Sequence, residues 1–425
     1  MKDLIVESKF PIEFRKEDAQ ELGKLLREQH NVVLIGMKRV GINNFLRFFL
    51  NHDGIVDTYI SDDKKHLFIP VDLNDLVELE IFPFWTLTLK RIIDAAEKSS
   101  MDEKVKKDLE ALFLHSIQSQ DLFLTIDSVR KSLVKIVENN ILPTLFFLRF
   151  DRIKDVVTPG YFANLQGLRD ATHRKLTCVF TSFRELDVLS SSVFNKTSMP
   201  VFARNIYIKP AKKEDAKIVF ETYKSRYKIN FSPEKEKDFF ELVDGYVQYL
   251  HLSLIIITEK NITENLFEEL IKDERIALQS EELWENLTKE EQNVLLKTVH
   301  EEGLMPEEFK KAKYLWDTGI IKENKIFSPL FEYYLKQKEK AVPSENFEFT
   351  KKEKILFNFL QKNINQICER EEIVNNIWPE VEAMGVSDWA IDRLVARVRS
   401  KLKSQKSNFE IQTVKTRGFK LIPSQ

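Results

Sequence analysis

The segment Gly36-Met37-Lys38-Arg39-Val40-Gly41-Ile42-Asn43 follows an apolar run and holds two glycines five residues apart. That is the spacing of a phosphate-wrapping loop, in which a lysine after the second glycine reaches the β- and γ-phosphates and the next hydroxyl binds Mg²⁺. Here Ile42 stands at the lysine position and Asn43 at the hydroxyl position. Backbone amides at the start of a following helix still suit an anion, and Lys38 and Arg39 bring charge within the loop. A purely structural strand–turn–helix is the alternative reading. Phosphoryl transfer also needs carboxylates to hold the metal and to position water. The strand that would carry them reads Phe147-Leu148-Arg149-Phe150-Asp151-Arg152. An Asp-Glu pair aligned on Leu148-Arg149 is lost altogether, and one aligned on Asp151-Arg152 lacks its glutamate. The chain is therefore expected not to turn over ATP, and no catalytic residue is assigned.

A second group of residues suits nucleic acid. Ser387 to Gln425 holds nine basic and three acidic side chains in a chain whose formal net charge is -2. A helix opening at Ser387 and running to about Lys403 places Ile391, Val395, Val398 and Leu402 at i, i+4, i+7 and i+11, one buried stripe. Arg393, Arg397, Lys401 and Lys403 lie off that stripe and Arg399 flanks it. A hairpin follows, Phe409 to Val414 and Phe419 to Ile422, turning at Lys415-Thr416-Arg417-Gly418. A basic helix followed by a basic hairpin suits a helix in the major groove and a wing on the backbone or minor groove. A solvated basic helix in a protein-binding module is the alternative.

Positioning these groups requires several domains. The 425 residues suggest two to four. Apolar runs at Asn31 to Ile35, His66 to Asp72, Leu145 to Phe150, Leu176 to Thr181 and Ile206 to Ile208 alternate with helical periodicity, as in Asn44 to Leu50 and Leu122 to Glu138. That alternation predicts a parallel sheet with helices on both faces. Residues 211–276 turn mostly helical, and the charged run Glu234-Lys235-Glu236-Lys237-Asp238 reads as a solvated face. Thr288 and Glu291 form a capping box opening a compact helical unit over 277–340, and Thr350 and Glu353 form another opening the last domain. Residues 341–345 read as a linker. The expected division is thus 1–210, an α/β P-loop-like core; 211–276, a helical lid; 277–340, a partial winged helix; and 346–425, the terminal winged helix.

Cys178 and Cys368 sit in or beside apolar runs and read as reduced core thiols, and the seven scattered histidines make no metal-ligand cluster. Met1-Lys2-Asp3-Leu4 carries no secretion signal, and no stretch reaches the roughly 18 apolar residues of a membrane span. A cytoplasmic protein with no membrane partner is expected.

Two resemblances sharpen this reading. Thr350 to Glu353, Arg370-Glu371-Glu372-Ile373 to Trp378, Ile391-Asp392 to Leu402, and Ile411 to Leu421 resemble, in order, the OmpR/PhoB-type winged helix. One position departs: Thr416 stands where the family has its first wing glycine. The resemblance implies double-stranded DNA as partner and Trp389, Arg393, Arg397, Arg399, Lys403, Thr413, Lys415 and Arg417 as DNA-contacting positions. Residues from about Glu7 to Thr258 resemble AAA+/STAND-class P-loop NTPases, especially prokaryotic ATPases related to replication initiators. Gly36 to Leu46 resembles their phosphate loop and Thr181-Ser182-Phe183-Arg184-Glu185-Leu186 their strand-end sensor. Asp244 to Leu250 resembles their lid segment, with Val247 in place of the usual proline, and Leu283 to Leu335 resembles the winged helix that follows such lids. This implies Gly36, Lys38, Arg39, Gly41, Asn43, Asp151 and Arg184 as nucleotide or anion contacts, with ATP or ADP a conformational ligand rather than fuel. The function expected is a DNA-binding transcriptional regulator whose degenerate NTPase-like domain senses a protein or nucleotide ligand. The alternative is an ATP-driven STAND or replication-initiator-like machine that takes DNA as input. A third reading, a phosphoacceptor receiver, fits poorly, because Gly36-Met37-Lys38-Arg39 stands where its acidic pair would follow the first strand. Operator, sensed signal and oligomeric state are not encoded in any motif.

Overall fold

The computed structural model describes residues 5–189, 202–227, 229–340, 349–378, 388–405, 407–414 and 417–423. The linker expected at 341–345, the capping Ser387, and Lys415 and Thr416 of the hairpin turn lie outside the described residues. The chain folds as two compact units. One comprises Met1–Thr222, Asp244–Val247 and Lys313–Lys322; the other comprises Tyr223–Val243, Gln248–Ala312 and Glu323–Gln425.

The first unit is built on five strands: β1 (Val32–Ile35), β2 (Lys65–Asp72), β3 (Ile141–Leu148), β4 (Thr177–Ser182) and β5 (Arg204–Tyr207). All four pairings are parallel, in the order β2-β3-β4-β1-β5. Its main helices are α1 (Lys16–Arg27), α2 (Ile42–Asn51), α3 (Ile81–Glu97), α4 (Glu103–Ser119), α5 (Leu122–Glu138) and α6 (Pro159–Ala171). Successive strand residues face opposite sides, and two adjacent phenylalanines show what covers each side. The Phe146 ring meets Phe49 of α2 at 6.5 Å, while Phe147 meets Phe84 of α3 at 5.3 Å. Both faces are therefore covered by helices; β1 and most of β3 read as apolar runs, and β4, though it carries Thr177, Thr181 and Ser182, is buried along its length as well. Phe147 also stacks on Phe180, and Phe150 meets Phe180 edge-on.

β3 is longer than its apolar run suggests. It begins at Ile141 and takes in Pro143, a residue that lacks a ladder donor and is confined to strand edges and ends. The register supplies the reason. Pro143 pairs with Leu67 of β2, whereas the pairing with β4 begins one residue later, at Thr144. Pro143 thus precedes the stretch in which β3 is flanked by strands on both sides.

After the sheet come α7 (Lys213–Tyr227), α8 (Pro233–Val243), α9 (Val247–Lys260), α10 (Leu266–Ile271), α11 (Glu274–Glu285), α12 (Lys289–Val299) and α13 (Pro306–Lys311). Two short strands, β6 (Ile321–Lys322) and β7 (Lys325–Ile326), and α14 (Pro329–Lys340) follow. The capping box at Thr288 and Glu291 is present. Asp273 caps α11 by accepting a hydrogen bond from the Arg275 amide at 3.0 Å.

The last residues form a separate core within the second unit. Helices α15 (Lys351–Lys362), α16 (Arg370–Ile377) and α17 (Asp388–Ser404) are joined by a three-stranded sheet of β8 (Cys368–Glu369), β9 (Phe409–Val414) and β10 (Gly418–Pro423), in the order β8-β10-β9. The box at Thr350 and Glu353 opens α15. Ile391, Val395, Val398 and Leu402 are all buried, against Leu356, Leu360, Ile373, Ile377, Trp378, Ile411 and Phe419. Strand β8, two residues long, has no periodicity to read; it exists because β10 is there to pair with it. That pairing explains Gly418: a Cβ there would stand 2.0 Å from the Cys368 carbonyl oxygen.

Candidate functional site

The strand order makes β1 the point where the chain's path divides. From β1 the chain crosses to the far edge, returns through β3 and β4 to one flank of β1, and then sets β5 on the other. Ligands of open parallel sheets sit beyond the strand carboxyl ends at such a switch point. Gly36 to Gly41 leaves β1 at that end and enters α2.

The loop is held mostly from within. Met37 and Val40 are buried. Gly36 N–H donates to the Ser182 carbonyl at 3.3 Å and Val40 N–H to Met37 at 3.2 Å. Gly41 has φ +110°, and a Cβ on it would lie 2.7 Å from Val247 Cγ2. Arg39 is left-handed as well, at φ 61°. Ile42 folds its side chain back toward the loop's beginning: a Cβ on Gly36 would meet Ile42 Cδ1 at 3.2 Å. The position that would carry an ammonium instead packs carbon against the loop. Asn43 is exposed. The buried Tyr246 donates its hydroxyl to the Lys38 carbonyl at 2.7 Å and so pins the loop.

Lys38 and Arg184 are engaged with aromatic rings. Lys38 Nζ lies 5.1 Å from the Phe183 centroid. Arg184 is 8% exposed and its guanidinium lies 3.8 Å from the Tyr314 ring centre, while Tyr314 donates its hydroxyl to the Phe183 carbonyl at 2.8 Å. At the end of β3, Arg149 adopts φ 59° and donates its amide to Thr181 Oγ1 at 2.7 Å. Its guanidinium pairs with both carboxylate oxygens of Asp72 at the end of β2. Asp72 is the register partner of Leu148. The acid at this rim thus sits one strand over and is neutralised by an arginine. Asp151 lies past the strand in the turn Phe150–Ile153, where burial raises its carboxyl pKa while Lys38, Arg152 and Arg149 oppose the shift. Asn43, Arg149 and Asp72 also border a cavity of about 960 Å³ lined by Leu46, Phe68 and Arg91, between α2, β2 and α3.

The second candidate surface is α17 and its hairpin. Arg399 ties the two together: its Nε donates to the Ile411 carbonyl and its Nη2 to Thr413 Oγ1, each at 2.8 Å. Lys401 pairs with the buried Glu353 of α15 at 2.7 Å. Lys403 and Thr413 are exposed. Arg417 is exposed and lies 3.4 Å from Glu369. Trp389 is on α17, but its side chain, like Lys415, is outside the described residues. Arg393 and Arg397 both reach α11. Arg393 Nη2 lies 3.1 Å from Glu281 and also pairs with Glu285, and Arg397 Nη2 pairs with Glu281. Lys352 of α15 pairs with Glu274 at 2.6 Å. Sequence reading missed these acids. Their one visible trace is that Glu274, Glu281 and Glu285 share a helical face. It missed Asp72, Tyr246 and Tyr314 for the same reason: each acts on a distant segment. Among the described residues no His, Cys, Asp and Glu group could hold a metal, and no helix is long and apolar enough to cross a membrane.

Residues 344–421 match the family described as transcriptional regulatory protein, C terminal. The terminal domain is thus a winged helix of the DNA-binding, transcription-regulator type. No curated protein sequence matches the chain. Among solved structures, the chain is similar to the Walker-type ATPase PABY2304 of Pyrococcus abyssi, at 14% identity over 76% of this chain and 95% of that one, TM-score 0.46. It is also similar to the ORC2 protein of Aeropyrum pernix in its ADP form, at 9% identity over 95% and 98%, TM-score 0.44. A third is the ORC1 protein of Aeropyrum pernix in complex with DNA, at 11% identity over 100% and 93%, TM-score 0.35.

Proposed function

We propose that this protein is a DNA-binding transcriptional regulator, in which the winged helix engages duplex DNA and the P-loop-like domain acts as a sensor or scaffold without turning over nucleotide. The observation that carries the reading is the terminal domain itself, whose family match coincides with a folded winged helix bearing Arg393, Arg397, Lys401 and Lys403 on α17. The second half of the proposal is supported by Ile42 packed onto the loop and by Arg149 standing at the end of β3. ATP or ADP remains suited to the loop as a conformational ligand, alongside a regulatory protein partner.

Fluorescence anisotropy of the full chain with labelled duplex DNA tests the first half. Lysine and arginine contacts to phosphates release counterions, so affinity should fall at least about tenfold between 50 and 200 mM salt. Affinity that does not change with salt would sink the reading. The competing reading, an ATP-driven machine with DNA as input, is favoured by the glycine-spaced loop at the switch point of a parallel sheet. DNA-stimulated ATP hydrolysis would select it.

A further inference from the structure

The arginines expected to read bases already have a partner. Glu274, Glu281 and Glu285 fall at i, i+7 and i+11 on α11 and so lie within about 20° of one line along the helix. Each meets a cation of the winged helix: Glu274 meets Lys352, Glu281 meets both Arg393 and Arg397, and Glu285 meets Arg393. At 1.5 Å per residue the stripe is about 16 Å long, a row of anions that occupies cations as a run of phosphates would. The contact is partly dry, with the Glu281 side chain 10% exposed and Arg393 24%.

We propose that the acidic stripe of α11 is an intramolecular occupant of the DNA-reading surface, so that duplex DNA and α11 compete for Arg393 and Arg397. This rests on the reading of α17 as the DNA-recognition helix. One guanidinium cannot serve Glu281 and a base edge at once, so the closed arrangement lowers apparent DNA affinity by the fraction of molecules that are open. The contact is suited to exchange. With Glu281 largely buried, the desolvation of these charges offsets part of their mutual attraction. Among the described residues, Arg393 Nε is buried without a hydrogen-bond partner. A ligand that satisfies the guanidinium with two parallel hydrogen bonds is a better partner than the one it has.

The test compares the full-length protein with its Glu281→Gln/Glu285→Gln variant on labelled duplex DNA at 50 mM salt. Glu264→Gln/Glu268→Gln, which removes the same charge from exposed positions, serves as the control. The α11 variant should bind at least tenfold tighter and the control within twofold of wild type. Equal tightening by both would mean general charge repulsion, and no tightening by the α11 variant would mean no competition; either overturns the proposal. If neither wild type nor variant binds any duplex, the DNA reading fails and the competition falls with it, an outcome distinct from unchanged but measurable affinity. Hydrogen–deuterium exchange on wild type avoids variants altogether. Saturating duplex should protect α17 and speed exchange in Glu274 to Glu285; unchanged exchange there in a DNA-saturated sample overturns the proposal.

Discussion

Arg393 and Arg417 make the sharpest contrast among the basic side chains of the winged helix. Arg393 and Arg397 stand one turn apart on α17, a spacing from which both can reach base edges, whereas Arg417 belongs to the hairpin turn. In a Glu281→Gln/Glu285→Gln background, where the ion pairs to α11 no longer contribute, Arg397→Ala should cost about 1–3 kcal/mol of discrimination between preferred and random duplex. Arg417→Ala should weaken both alike. Binding isotherms on the two duplexes decide it, and identical losses for the two variants would refute the division of labour. In the other unit, Gly41 is the residue whose replacement should be felt most. Its φ of +110° and the 2.7 Å approach of Val247 leave no place for a Cβ. Gly41→Ala should destabilise by about 1–3 kcal/mol, read as a lowered thermal midpoint.

At the scale of elements, α11 depends on its cap. Asp273 is buried, which alone would raise its pKa, but Arg275 and Lys260 pull the carboxyl down to about 2. A carboxyl depressed in the folded state stabilises fully above its unfolded pKa, near 4, and loses that contribution as pH falls from about 4 toward 2. The contribution is on the order of 2 kcal/mol at neutral pH. Urea unfolding at pH 5 and at pH 3 should show a loss in wild type that is much smaller in Asp273→Asn. If the two proteins lose stability equally, Asp273 is not the group responsible. Which elements could be read in advance follows from how local their causes are. The boxes at Thr288 and Thr350 and the stripe Ile391, Val395, Val398 and Leu402 are set by neighbours within one or two turns, and each is where its spacing puts it. Strand β8 and the first residues of β3 escaped because their reasons lie in β10 and in the register with β4. At the candidate sites the loop's position and the basic helix were legible. The Asp72 partner of Arg149, the Tyr246 anchor and the acids on α11 were not, since each pairs residues some 77 to 208 positions apart.

For the molecule as a whole, the expectation is background ATP turnover with or without DNA. Triphosphate chemistry needs a lysine on the phosphates, a hydroxyl and a carboxylate for Mg²⁺, and a carboxylate for water. The chain offers Ile42 in place of the lysine, Asn43 in place of the hydroxyl, and Arg149 or Arg152 in place of the water-positioning glutamate. A steady-state assay should return the buffer rate; hydrolysis that disappears on changing Arg39 or Asp151 would reverse the conclusion.

The attachment of Arg393 and Arg397 to Glu281 and Glu285 also bears on how such a protein can diverge. On the proposed competition, a substitution at Arg393 or Arg397 that altered sequence choice would at the same time loosen or tighten the hold of α11. Descendants that acquire new target sequences would have to change α11 in step or inherit a different threshold for release. Across a lineage, positions 281, 285, 393 and 397 should therefore vary together, while Arg399, which bonds the hairpin and not α11, should change independently of them.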